Sequence, residues 1–482
     1  MPVLKGFRTL LDAYKNYLKW WFSSLDVKID SLLHCRIFYM NIAFYLTNKY
    51  FCSKDCSDLS KGNPGIGGTY YAMLQVSYAL SSIMSNGVDK VYLLMEEDMK
   101  VPDYVKKVVV TSKESLVDAI NSLDLDYLVL NKIGPDTLSP LFFDEIRTTG
   151  IDTIVWVHCS ISEKVMNQLS KEPLVKKVVA VSRLQFYTWY DHDIIKKATY
   201  IYNMFDMVNP RPIIEYGKRK NDVVYVGAIN SVKGVHHITK AWKKVKTAFP
   251  DSNLYIIGSG KLYSAAQECG QYNIAEKYYE YKLLKPILKN GSIDSSVHFL
   301  GVMGEEKWDV LNKCRVGISN ASSWETFGYT MLEMQLAGMQ VTSIKSPGLI
   351  DTMNSKSGIL YEKPKDLAKS IIALLQNNSY NYSEGVEYAK HTFDANTIVP
   401  QWVDLFHGKS KPEASISDII KTVDFPYLKF VVFNKTIRNI LPFLPSVTFY
   451  RGYIESFKRI VAVINNPSKI RHKISTVINN KI

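Results

Sequence analysis

No stretch of this chain reaches the roughly 18 consecutive apolar residues that a membrane-spanning helix requires. Its first residues, Met1-Pro2-Val3-Leu4-Lys5-Gly6-Phe7-Arg8, lack the apolar centre and cleavage site of a secretory leader. Cysteine is scarce: there are six, and only Cys52 and Cys56 lie close together. No Cys/His cluster has the spacing of a zinc site, and no aspartate-rich segment suits a metal. Free thiols in a reducing cytoplasm are the simpler expectation. Internal repeats are absent, and no nucleic-acid motif accompanies the basic charge. These absences argue against a membrane span, a disulfide scaffold, a zinc module and a nucleic-acid partner. What remains is a globular chain of 482 residues, 46% hydrophobic, long enough for two full cores.

The most informative segment present reads Trp324-Glu325-Thr326-Phe327-Gly328-Tyr329-Thr330-Met331-Leu332-Glu333. Gly328 sits where a loop turns into a helix. A helix start presents free backbone N–H groups and the positive end of its dipole to an anion. A carboxylate one turn further on can accept hydrogen bonds from sugar hydroxyls. Together these parts suit a nucleoside diphosphate.

The surroundings alternate strand and helix. Val223-Val224-Tyr225-Val226-Gly227 reads as a buried strand. Ile238, Ala241, Trp242, Val245 and Ala248 follow at helical spacing. Further strands are Leu254-Tyr255-Ile256-Ile257, ending in Gly258-Ser259-Gly260, then 297–301, 316–319 and 339–343. Short links between alternating elements argue for a parallel sheet, with ligands at the carboxyl ends of its strands.

Residues 223–362 resemble the nucleotide-sugar-binding domain of retaining, GT-B-type glycosyltransferases of family 4 (glycosyl transferases group 1). The resemblance rests on Gly227 to Lys233-Gly234, on Gly258-Ser259-Gly260, and on Glu325-Thr326-Phe327-Gly328 to Glu333, in that order. Asn63-Pro64-Gly65-Ile66-Gly67-Gly68-Thr69 resembles the family's first-domain glycine loop, and the likeness covers roughly residues 35–407. It implies an α/β chain of two Rossmann-like domains facing a cleft. It also implies transfer of a sugar, with retained anomeric configuration, from a nucleotide diphosphate sugar to a glycan or lipid-linked acceptor. No bound metal or other cofactor is expected. The donor-binding residues would be Gly67, Gly68, Lys233, Gly258, Glu325, Thr326, Phe327, Gly328 and Glu333. The catalytic ones would be Glu325, Lys233 and His158, the last at the end of a first-domain strand. Two positions depart from the family: Ala228 replaces the usual Arg after Gly227, and Asp351 replaces a frequent Glu. Ala228 keeps two other readings open, a non-catalytic scaffold subunit and a nucleotide-sugar epimerase.

The division expected is an amphipathic helical extension over 1–32, a first domain over 33–206 and a linker over 207–212. A second domain over 213–392, a helix returning to the first domain over 393–407 and a basic helical extension over 408–482 follow. The first domain is expected to open with a strand over 36–40. Residues 427–482 hold ten cations and one anion, Glu455, a net +9 out of the chain's +13. Tyr453, Phe457, Ile460, Val461 and Ile464 share a helical face there. At the other end, Leu4, Phe7, Leu11, Tyr14, Leu18, Trp21 and Leu25 recur at steps of three and four. Basic amphipathic segments suit the anionic inner face of a membrane, whereas the same faces could instead dock on the protein's own body.

Overall fold

The structure, a computed structural model, describes residues 40–454 apart from 61, 83–87, 132–138, 206–210, 262–267, 323 and 410–414. The N-terminal extension, most of the linker and the last 28 residues therefore lie outside the described residues.

Seven parallel strands build the first sheet: β1 (Met40–Leu46), β2 (Val88–Met95), β3 (Lys106–Val109), β4 (Tyr127–Asn131), β5 (Asp152–Val157), β6 (Val175–Ala180) and β7 (Ala198–Tyr200). Their order is β3-β2-β1-β4-β5-β6-β7. Of the strand expected over 36–40, residues 36–39 lie outside the described residues. Strand β1 sits between β2 and β4, and its alternate residues Ile42, Phe44 and Leu46 are all buried. Helix α1 (Gly68–Ser82) follows a glycine loop that Asn63 organises, its Oδ1 accepting from Gly65 N at 3.0 Å and Ile66 N at 2.9 Å.

The second sheet has six parallel strands: β8 (Lys220–Val226), β9 (Leu254–Ile257), β10 (Val297–Gly301), β11 (Cys314–Ile318), β12 (Gln340–Ile344) and β13 (Gly358–Tyr361). Their order is β10-β9-β8-β11-β12-β13. Val223, Val224 and Tyr225 are fully buried because helices cover both faces of a parallel sheet. The helices that matter below are α2 (Val235–Ala248), α3 (Lys307–Lys313), α4 (Tyr329–Leu336) and α5 (Pro347–Thr352).

Helix α6 (Ala395–Phe406) carries the chain back to the first domain. Its Trp402 lies edge-on to Trp156, with centroids 4.6 Å apart, and 6.2 Å from Phe44. The two crossings between domains run side by side, joined by Phe205 N donating to Phe393 O at 2.7 Å. Arg183 of the first domain pairs with buried Asp351 of α5 at 3.0 Å, and Asp351 also accepts from Leu184 N at 2.7 Å.

Beyond the return helix, α7 (Ile416–Thr422) and α8 (Pro426–Ile440) pack on the first domain through Ile416, Ile419, Phe425 and Leu428. Buried Asp191 anchors them, accepting from Asn434 Nδ2 at 2.6 Å and Val447 N at 2.7 Å. The extension also reaches the second domain. Trp324 meets Tyr427 at 5.2 Å, and the Arg451 guanidinium lies 4.2 Å above its ring.

Candidate active site in the interdomain cleft

Strand ends, loops and a helix start from both domains line one cavity of about 300 Å³. From the first domain come Gly67 and Gly68 on the loop into α1, and His158 one residue past β5. From the second come Gly258 past β9, Lys233 before α2, and Glu325, Thr326, Phe327, Gly328 and Glu333 around the start of α4. The donor-binding and catalytic candidates read from sequence thus line one cavity, although they span positions 67–333.

Two of the glycines have steric reasons for their identity. Gly258 has φ +142°, and a Cβ there would stand 1.8 Å from Gly227 O, so the ends of β8 and β9 could not approach. Gly328 has φ +108°, and its Cβ would meet Leu349 Cδ2 at 2.5 Å. Its left-handed turn aims the first N–H groups of α4 into the cleft.

Two Lys–Glu pairs occupy the second-domain wall. Lys233 Nζ donates to Glu325 Oε2, which also accepts from Asn320 Nδ2 at 3.3 Å. Burial by itself would raise the Glu325 carboxyl, but the Lys233 charge and these hydrogen bonds hold it below the ordinary range. Lys307, the first residue of α3, donates to Glu333 Oε1 at 2.6 Å. With Ala228 in place of an arginine, Lys307 is the second lysine lining this cavity.

The first-domain wall differs. The Trp156 backbone and the Asn203 side chain lie beside the His158 ring, but neither His158 ring nitrogen nor Asn203 Oδ1 closes a well-formed hydrogen bond within the protein. Both residues line the cleft. Burial pushes the His158 imidazole down to about 3, against weaker upward effects of the Trp156 backbone and Asn203. Its backbone oxygen accepts from Thr326 Oγ1 at 2.6 Å, which ties the two walls together. Phe327 sends its ring away from the solvent side, against Phe393 at 5.5 Å and Tyr329 at 5.1 Å. It therefore shapes the hinge, and its backbone faces the cleft.

Sequence reasoning missed Lys307, Asn203 and Tyr329 as lining residues. Lys307 sits in the charged run Glu305-Glu306-Lys307, which reads as a solvated helix start. Only its contact with Glu333, 26 positions away, reveals its place. Tyr329 had a local signal, since it directly follows Gly328.

Two parallel-sheet domains facing each other across such a cleft define the GT-B class of fold. Residues 210–392 match the family model of glycosyl transferases group 1, and the second domain belongs to that family. A Haemophilus influenzae protein described as an uncharacterized glycosyltransferase is 22% identical over 364 residues, 70% of this chain and 95% of that protein. Among solved structures, the sucrose-phosphate synthase of Thermosynechococcus elongatus matches with a TM-score of 0.57. It is 15% identical over 77% of this chain and 98% of its own. HepE of Anabaena, solved with UDP-glucose, matches with a TM-score of 0.53. It is 14% identical over 77% of this chain and all of its own. These structural likenesses show the fold.

Proposed function

We propose that the protein transfers a sugar from a nucleoside diphosphate sugar to a glycan or lipid-linked acceptor, with the anomeric configuration retained. One observation carries the reading. A wall with two lysines and a helix N-terminus, suited to a diphosphate, faces a wall where the polar groups of His158 and Asn203 lack well-formed hydrogen bonds, suited to sugar hydroxyls.

The family resemblance and the placement of these groups support the following roles. Glu333 accepts from the ribose hydroxyls. Lys233 turns from Glu325 to the phosphates, joined by the N–H groups of α4 and of the Gly67-Gly68 loop. These donors stabilise the diphosphate as the bond from the anomeric carbon to its oxygen breaks. The acceptor oxygen bonds to that carbon on the same face, and its proton passes to the departing phosphate. His158, neutral at pH 7, holds a sugar hydroxyl. The charge of the leaving group is carried by these groups rather than by a metal ion, so a chelator leaves the rate unchanged. Closure about Phe205 and Phe393 excludes water and limits donor hydrolysis. The protein works in the cytoplasm, against the inner face of a membrane.

A thermal-shift screen of nucleoside diphosphates and their sugars tests the reading, starting with UDP and UDP-glucose because HepE was solved with the latter. A stabilising diphosphate, followed by slow sugar release without acceptor, supports a transferase. Binding without any turnover would favour the scaffold reading that Ala228 motivates. Interconversion of free nucleotide sugars would favour an epimerase.

A further inference from the structure

The extension beyond the return helix has two apolar faces, and only one is used by the protein's own body. Leu428, Val431 and Asn434 of α8 point inward. Phe430, Phe433, Ile437 and Ile440 recur at steps of three and four on the opposite side. Phe433 is 61% exposed and Ile440 77% exposed. Beyond the helix, Phe443 in the following turn is 78% exposed, and Tyr453, in the helical stretch that starts at residue 447, is 69% exposed. Large apolar side chains gathered in this way mark a surface with a partner.

We infer that this outward ridge of α8 and the turn after it lie on an anionic lipid bilayer. The charge pattern selects that occupant. Residues 425–454 contain Lys429, Lys435, Arg438 and Arg451 and no acidic side chain. The chain then continues to residue 482 with six more cations against Glu455 alone. Lys429 directly precedes Phe430 in the first turn of α8, at the edge of the apolar face. A second copy seated symmetrically on this ridge would set two basic segments against each other with no acid in 425–454 to offset them. A bilayer takes the aromatic side chains into its headgroup boundary and offers phosphates to the lysines. No helix among the described residues is long and apolar enough to cross a membrane, so α8 lies along the surface.

The position of the ridge gives the contact a purpose. Tyr427, at the root of α8, touches Trp324, and Trp324 precedes Glu325 in the cleft wall. A bilayer under the ridge therefore lies close to the cleft and presents a membrane-embedded acceptor to it. Only that last step rests on the proposed transferase activity.

Flotation of the full chain with vesicles of phosphatidylcholine, alone or mixed with phosphatidylglycerol, tests the surface. The wild type floats with the mixed vesicles at low salt. Phe430→Ser/Phe433→Ser/Ile440→Ser/Phe443→Ser lowers partitioning about tenfold or more at low and high salt alike. Lys429→Gln/Lys435→Gln lowers it at low salt and has little further effect at high salt. Thermal melting of each variant confirms that the fold survives. Equal flotation of the serine variant, or none by the wild type, overturns the inference. So does a wild-type dimer in light scattering that the serine variant abolishes without any vesicle binding, which would make a second copy the occupant. Flotation without a response to nucleotides sinks the transferase reading and spares this surface. A nucleotide response without flotation does the reverse.

Discussion

Lys307 Nζ lies 2.6 Å from Glu333 Oε1, and the two side chains are only 9% and 6% exposed. The pair joins the first turn of α3 to the first turns of α4 at the floor of the cleft. It fixes the carboxylate that the family resemblance assigns to the ribose, and it keeps a cation where Ala228 supplies none. A nearly buried ion pair is costly to break on one side, because the remaining charge has lost its partner.

Lys307→Met is therefore expected to lower unfolding free energy by roughly 3 kcal/mol in urea. The double variant Lys307→Met/Glu333→Leu recovers most of that loss and still fails to bind nucleotide. If the double variant is no more stable than the single one, the pair is not the source of the cost.

Glu333→Gln is expected to weaken nucleoside diphosphate binding by about 1–3 kcal/mol, the value of a charge-assisted hydrogen bond. Calorimetry with a dideoxyribose diphosphate adds a sharper check. The wild type should discriminate against it, and Glu333→Gln should not. Unchanged affinity for both ligands would remove Glu333 from the ribose site.

Lys233→Ala is expected to reduce sugar release about 100-fold or more by removing a donor to the leaving diphosphate. Ala228→Arg should leave the fold intact and tighten diphosphate binding. Steady-state kinetics with the donor found by the ligand screen reads both. Near-normal turnover in Lys233→Ala would shift the role to Lys307.

Two buried groups make opposite contributions to stability as pH changes. Asp351 is pushed up to about 6 by burial, despite the Arg183 charge beside it. It holds its proton more tightly folded than unfolded, so its contribution is complete below the ordinary carboxylate value and is lost as pH rises through about 6. His158 is pushed down to about 3 from an ordinary 6.5. Its contribution is present above 6.5 and is lost as pH falls toward 3. Thermal unfolding between about pH 4 and 7 should show Asp351→Asn gaining on the wild type as pH rises. His158→Gln should gain on it as pH falls. Profiles parallel to the wild type would show that neither group titrates as its surroundings imply.

The local signals were legible in the chain itself. Glu325, Gly328 and Glu333 lie within one loop-helix joint, so their relation needs no tertiary information. The strand-helix alternation announced a parallel sheet because each βα unit carries its own apolar periodicity. By contrast, β3, β7 and β13 run for only three or four residues each, too few positions for a period to show. Cys52 and Cys56, the close pair in sequence, are both free thiols. Asn203 and Lys307 became part of the cleft only through the meeting of two domains and two helices. The extension shows the same division. Its composition determined that it would be basic and amphipathic. Which face of α8 would be buried was decided by Asp191, some 240 residues earlier, whose carboxylate holds Asn434 and Val447 and so turns Phe430 and Phe433 outward.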